Sequence, residues 1–517
     1  MDLKRFFLDA EEIPLKDHHD ALAAHRAHYV ATLLLILEHG VEPSPGVRAR
    51  VLAAAWARRD HELAESLLAR PLWNLPCVVK ALQLLDAGRQ SRALRRRIER
   101  HENDGRTRPA RLALLRTRLH DLEREGHIGS VSGALARHVR RWMQTIAERD
   151  LTSVALSMPR EPWRQLADLV HPNPASLKAP WFLPVVFGGA PPADSALAVC
   201  PAATDAQMPE VASSWELPYV YLRTRVKSPS DALRGAVARY ETLDTLLWYY
   251  EELRCAAVDQ AIARRLDAGE ASRLGCGKLM ERVMVFRDKK APFWEKLLPL
   301  VDRQLARMKL PLDPPVVVLG DASSSMTVAI RVATIIGSVL TVVTRADLRF
   351  FNQSLLRPAI VPRTTRDVLG VTDHTPATGM TAPAAALWPS LEKRELVRSF
   401  LVVTDEEENT PCQQMLFDAM LAKYRAECFP ARVTFVSFIG QMAVGQMAAA
   451  LKLKEIPYRQ VRLDRERPDL TRLDTILGEL AVEGELFNER VGALAAFLAT
   501  PGARIEETAA PIRAILG

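Results

Sequence analysis

Between residues 321 and 325 the chain reads Asp321-Ala322-Ser323-Ser324-Ser325, a carboxylate followed by alternating hydroxyls. The segment follows the apolar run Val316-Val317-Val318-Leu319-Gly320, so it lies where a buried strand ends. Alternating side chains can converge on one point, and hard oxygen donors suit a divalent cation, Mg²⁺ above all. Two further segments offer partners. Gly379-Met380-Thr381 places a hydroxyl after a glycine that permits a tight turn. Thr404-Asp405 sets a second carboxylate directly after the strand-like run Arg398–Thr404. Asp321, Ser323, Ser325, Thr381 and Asp405 are therefore candidate metal ligands. Such a set leaves Mg²⁺ with water in its remaining positions, and an acidic group from a partner could replace one of them. Asp405 is followed by Glu406-Glu407-Glu408. Three more acids beside the ion are expected to hold it and to repel an acidic ligand. No nucleophile–base pair accompanies these residues, which points to binding rather than catalysis.

Arginine carries a second chemistry. Residues 1–300 hold 44 Lys and Arg against 37 Asp and Glu, and so carry the whole net charge of +7. Within them, residues 51–150 hold 20 basic and 12 acidic residues. Arg89, Arg92, Arg96 and Arg100 share one helical face by spacing, with Arg95 and Arg97 beside them. Arg137, Arg140 and Arg141 form another cluster. Guanidinium groups grip phosphate in a forked geometry and stack on unpaired bases, so these residues are candidate RNA contacts. A solvated helix face is the alternative reading, since Arg is also a good helix former.

The elements that must position these groups differ along the chain. Residues 1–310 read as helical almost throughout. Ala21–His39, Val51–Ala69, Cys77–Leu85, Ala110–Leu122 and Val131–Ile146 show helical apolar spacing, and helices resume over 228–306. Short turns between such helices suggest an α-solenoid. Nine prolines between Pro172 and Pro218 predict a long irregular connection over 172–218. After Leu310-Pro311-Leu312-Asp313-Pro314-Pro315 the apolar runs become short and β-branched. Strands at 316–320, 347–351, 398–404, 433–439 and 460–463 alternate with helices. That pattern predicts a doubly wound, mainly parallel α/β domain over 315–517, with ligands at the carboxyl ends of its strands.

A chain of 517 residues exceeds one core. Six scattered cysteines without a C-x-x-C pair argue against a zinc site and for a reducing compartment, the cytoplasm. The N-terminus leads to no apolar stretch, so no signal peptide is expected, and Arg331 interrupts the best membrane candidate, Thr327–Thr344.

In order and spacing, the metal residues resemble the metal-ion-dependent adhesion site of von Willebrand factor A domains. That resemblance implies ligand roles for Asp321, Ser323, Ser325, Thr381 and Asp405. Further segments are similar to those of Ro autoantigen (TROVE) proteins: Trp163-Arg164-Gln165-Leu166-Ala167-Asp168-Leu169-Val170-His171-Pro172, Leu217-Pro218-Tyr219-Val220-Tyr221-Leu222-Arg223, Pro376-Ala377-Thr378-Gly379-Met380-Thr381 and Thr404-Asp405-Glu406-Glu407. The resemblance covers most of residues 160–440 and implies HEAT-like helices closed into a ring by a von Willebrand A domain. It also implies binding of small structured (Y RNA-like) or misfolded non-coding RNA, beside an exoribonuclease such as polynucleotide phosphorylase, by a monomer. It places His171 at the RNA surface. Asn173 stands where the family has Lys, and Arg164 is the candidate to serve that helix instead; a helix-end histidine before Pro172 is the plainer reading of His171. An adaptor for a MoxR-type AAA+ ATPase is the alternative function, since such adaptors also fuse a von Willebrand A domain to helices.

Overall fold

Small polar side chains set the helix starts in the N-terminal half. Ser44, Asp60, Asn74, Ser132, Ser230 and Thr242 each accept a hydrogen bond from a first-turn backbone N–H. They begin Pro45–Ala57, His61–Leu68, Leu75–Leu85, Gly133–Thr145, Asp231–Tyr240 and Leu243–Trp248. The single helix expected over Val51–Ala69 is thus two. Arg59 turns left-handed (φ 57°) and Asp60 caps the second, a break that apolar spacing does not reveal.

The irregular connection expected over 172–218 is also corrected. It folds into the short helices Phe182–Val186, Ala196–Ala202 and Met208–Trp215. Pro209 sits in the first turn of the last, where a missing N–H costs nothing, and Pro218 is the N-cap residue of Tyr219–Arg225.

The computed structural model describes residues 2–8, 13–104, 109–126, 128–307, 314–440, 444–464, 469–482 and 485–516. Two compact units divide the chain: residues 1–35, 42–258 and 490–517 form one, and residues 36–41 and 259–489 the other. The first is helical. Pro45–Ala57 and Glu161–Val170 both pack on Leu75–Leu85, burying Leu52, Val78, Leu82 and Leu166 completely. A buried ion pair joins Arg50 to Glu125, whose carboxylate also accepts the Leu15 N–H at 2.9 Å. Ala87–Asp104 pairs with Pro109–Arg124 around a small apolar cluster of its own, Leu94, Ile98 and Leu115.

The second unit is built on a six-stranded sheet. Its strands are β1 (Val316–Asp321), β2 (Asp347–Phe351), β3 (Leu355–Leu356), β4 (Ser399–Thr404), β5 (Arg432–Phe438) and β6 (Arg459–Leu463). Their order is β3-β2-β1-β4-β5-β6, parallel except for β3 at the edge. Every residue of β1 and β4 is buried, as helices on both faces require. The expected doubly wound fold is present. The two-residue strand β3 and the helices Thr365–Asp373 and Gln446–Leu453 are additions to the sequence reading.

Helices Cys276–Asp288 and Leu298–Arg307 belong to this unit. Asp474 accepts the Gly277 N–H at 3.1 Å, and Asp302 accepts the Thr365 N–H at 2.7 Å. Each carboxylate thus satisfies a helix N-terminus from another element. The linker residues Leu310–Asp313 lie outside the described residues. Among the described residues no helix is long and apolar enough to cross a membrane.

Candidate metal site and basic surface

The strand order reverses at β1, between β2 and β4. Ligands of open parallel sheets bind in the crevice outside the strand carboxyl ends at such a point. Asp321 closes β1 and Asp405 follows β4, so the sheet itself brings the two carboxylates to one crevice. Both are buried. Asp321 Oδ1 accepts the Ser323 N–H at 2.9 Å, and Oδ2 accepts the Thr404 hydroxyl at 2.6 Å. The Ser323 and Ser325 hydroxyls lie 3.0 Å apart.

Thr381 reaches the same place through its loop. The Thr378 N–H donates to the Ala322 carbonyl at 2.8 Å, and the Ser324 N–H donates to the Gly379 carbonyl at 3.1 Å. Gly379 has φ +81°, and a Cβ there would meet Gln353 Oε1 at 2.7 Å. The positive φ calls for glycine, whereas the Gln353 amide is the far end of a flexible side chain that can give way. Thr381 is buried, its N–H donates to Asn409 Oδ1 at 3.0 Å, and its carbonyl accepts the Asn409 N–H at 3.1 Å. Nothing in the spacing of Asn409 marks it, yet it clamps the Thr381 backbone from both sides.

The acid run does not do what its sequence suggests. Glu406 turns left-handed (φ 60°) and is wholly buried. Its carboxylate accepts from Ser437, from Gln460 and, at 2.9 Å, from the Ala448 N–H in the first turn of Gln446–Leu453. A Cβ on Gly445 would fall 2.0 Å from that carboxylate. Glu408 is buried and accepts the Phe417 N–H at 2.8 Å, where Phe417–Glu427 begins. Two of the three acids therefore accept N–H groups at helix N-termini that would otherwise lack a partner. Glu407 alone is exposed, its N–H donating to Asp405 Oδ1 at 3.2 Å. The expectation of three more acids beside the candidate ligands is corrected to one: Glu406 and Glu408 turn to helix N-termini, and Glu407 stays beside Asp405.

Burial raises the Asp321 carboxyl to about 7; hydrogen bonds from Ser323 and Thr404 oppose the rise, and the nearby charge of Asp405 adds to it. A dication would relieve both the desolvation and the repulsion. Among the described residues no three His, Cys, Asp or Glu side chains form a metal-holding group, so any ion here depends on the hydroxyls. An all-oxygen donor set with few charges fits Mg²⁺, which keeps several waters.

The arginine candidates fall on the helical unit. Arg92, Arg95, Arg96, Arg97 and Arg100 are exposed on Ala87–Asp104, while Ser91, Leu94 and Ile98 face inward. Arg95 pairs with Glu123 at 2.6 Å, and Arg100 Nε donates to the Arg96 carbonyl at 3.3 Å. Arg92, Arg96 and Arg97 meet no acidic partner among the described residues. Arg137 and Arg141 are exposed on Gly133–Thr145, and Arg140 donates to the His171 carbonyl at 3.4 Å. His171 is the exposed, left-handed C-cap (φ 47°) of Glu161–Val170. These four residues therefore gather at one place. Arg164 does not present its charge outward in the same way: half-buried, its Nε donates to the Val186 carbonyl at 2.9 Å.

A helical unit joined to a doubly wound sheet with a D-x-S-x-S loop at its switch point has the architecture of a helical-repeat and von Willebrand A fold. The crystal structure of the Deinococcus radiodurans Ro (RSR) protein shares it, with a TM-score of 0.53 and 16% identity, over 92% of this chain and 99% of that one. The chain thus has a bacterial Ro-like fold. No family model matches the sequence, and no curated protein sequence matches it.

Proposed function

We propose that this protein is a non-catalytic RNA-binding scaffold of Ro type, acting on small structured or misfolded non-coding RNA. The observation that carries the reading is the set of exposed arginines Arg92, Arg96 and Arg97, none in an ion pair among the described residues although Glu99 shares their helix, on a helical unit whose fold is Ro-like. Arg100 continues the stripe, and Arg137, Arg140, Arg141 and His171 form a second basic place. The Ro resemblance supports the RNA class and a cytoplasmic monomer handing RNA to an exoribonuclease such as polynucleotide phosphorylase. In the sheet unit, Asp321, Ser323, Ser325, Thr381 and Asp405 would hold Mg²⁺. The ion would supply a site for a partner's carboxylate; with Glu406 and Glu408 turned into helix termini, repulsion of such a ligand is weaker than the sequence suggests.

The test is binding of a structured RNA over a salt series. Each phosphate neutralised adds about 0.9 to the log–log salt slope for duplex targets. A slope near zero would sink the reading, and copurification with an AAA+ ATPase but no nucleic acid would favour the adaptor.

A further inference from the structure

The helical unit contains a cavity of about 610 Å³ that the RNA reading does not use. That lies within the roughly 300–1,000 Å³ of small-ligand sites and exceeds a single side chain. Helix Glu148–Ser157 supplies one wall, with Glu148, Thr152 and Leu156 one turn apart and Arg149 and Ser153 alongside. Trp181 stands at the N-cap of Phe182–Val186, and Trp215 ends Met208–Trp215. Trp215 is 43% exposed, an unusual position for the largest apolar side chain. Asp194, Ser195 and Glu216 complete the polar lining.

The hydrogen-bond sense of this lining selects its ligand. Thr152 donates its hydroxyl proton to the Glu148 carbonyl (2.9 Å), Ser153 to that of Arg149 (3.0 Å) and Ser195 to that of Pro192 (2.6 Å). Their oxygens keep only acceptor capacity. Glu148 and Asp194 add carboxylates. Glu148 takes only the Trp181 indole N–H, at 3.3 Å, and Asp194 has no partner among the described residues. Arg149, the one cation, is engaged by Glu216 at 3.1 Å. Three acids face one base inside a unit that carries the chain's basic excess. A phosphate is repelled here. A flat group with donors on its edge and no acceptor is favoured, because its faces can stack on indole while its edge meets carboxylates.

We propose that this cavity binds an arginine side chain presented by an extended segment of a protein partner. The guanidinium stacks against Trp215 or Trp181 and donates to Glu148 and Asp194. The remaining volume takes the flanking peptide. The site stands apart from the RNA reading and can fail or hold without it.

The test titrates the full-length protein with Nα-acetyl-arginine amide, with the isosteric neutral citrulline derivative, and with guanosine monophosphate, by calorimetry. The arginine probe is expected to bind, the citrulline probe at least about tenfold more weakly, and guanosine monophosphate, whatever it does at the arginine surface, is expected not to displace the arginine probe. Asp194→Asn and Glu148→Gln should each weaken the arginine probe about fivefold or more, as should Trp215→Ala, with unchanged thermal melting. Absence of arginine binding at about 10 mM probe, equal binding of citrulline, or binding indifferent to all three variants would overturn the proposal. Displacement of the arginine probe by the nucleotide would overturn it in favour of a base-binding pocket.

Discussion

The two units place charge in opposite ways. In the helical unit, arginines stand on an outward helix face, several outside any ion pair among the described residues, and the helix beneath them is held by Leu94 and Ile98. In the sheet unit, acids are buried at the carboxyl edge of the strands, each tied to a hydroxyl or to a backbone N–H. Exposed charge can change with little cost to the fold, because water already satisfies it. Buried charge cannot, because removing it strands the donors that surround it. Function on the helical unit should therefore separate cleanly from stability, whereas on the sheet unit the two should be entangled.

The largest effect is expected from Glu406→Ala, which leaves Ser437, Gln460 and the Ala448 N–H without their acceptor. Denaturant unfolding should show a loss of about 3 kcal/mol, with RNA affinity of the surviving folded protein unchanged. Loss of RNA binding in that folded fraction would break the separation of the units. Next is Arg92→Glu combined with Arg96→Glu and Arg100→Glu. RNA affinity should fall about 100-fold and the salt slope by about 2–3, with an unaltered melting temperature. Asp321→Ala in the same assay should stay within about twofold of the parent.

A pH series sharpens the contrast. Burial pushes the Glu408 carboxyl up to about 8, with the charge of Asp418 adding and the Phe417 N–H opposing. A folded value above the unfolded one means the native state holds the proton longer, so the stabilisation is complete at low pH and is lost as pH rises towards 8. Melting of the sheet unit should weaken by about 2 kcal/mol between pH 6 and 8, and Glu408→Gln should flatten that slope. A parent protein with pH-independent melting over this range would contradict the buried environment. The smallest effect is expected from Arg95→Gln: its surface pair with Glu123 should contribute under about 0.5 kcal/mol, and RNA affinity should change less than that of the triple variant by an order of magnitude or more.

How much of this was legible beforehand follows from the range of the interactions. Asp321, Ser323 and Ser325 are near neighbours on a loop after a strand, and short continuous apolar runs locate such doubly buried strands, so the site's framework could be read directly. Asn409 could not, because it acts on Thr381 through the backbone from 28 residues away. The acid run misled because adjacency in sequence carries no direction: one left-handed residue sends Glu406 into one helix terminus while Glu408 goes to another. On the helical side the arginine stripe survived translation into structure, since helical spacing fixes a face. Arg164 did not, because its acceptor, the Val186 carbonyl, belongs to a stretch whose prolines disguised short helices.

The chain from Asp321 through Thr404 to Glu406 also bears on the order of synthesis. Asp321 and Thr404 leave the ribosome well before Ser437, Ala448 and Gln460, the groups that hold Glu406 in its left-handed turn. Until residue 460 has emerged, the Asp405 loop lacks its anchor on that side. A nascent chain halted short of β6 would carry every candidate ligand and still lack a finished crevice.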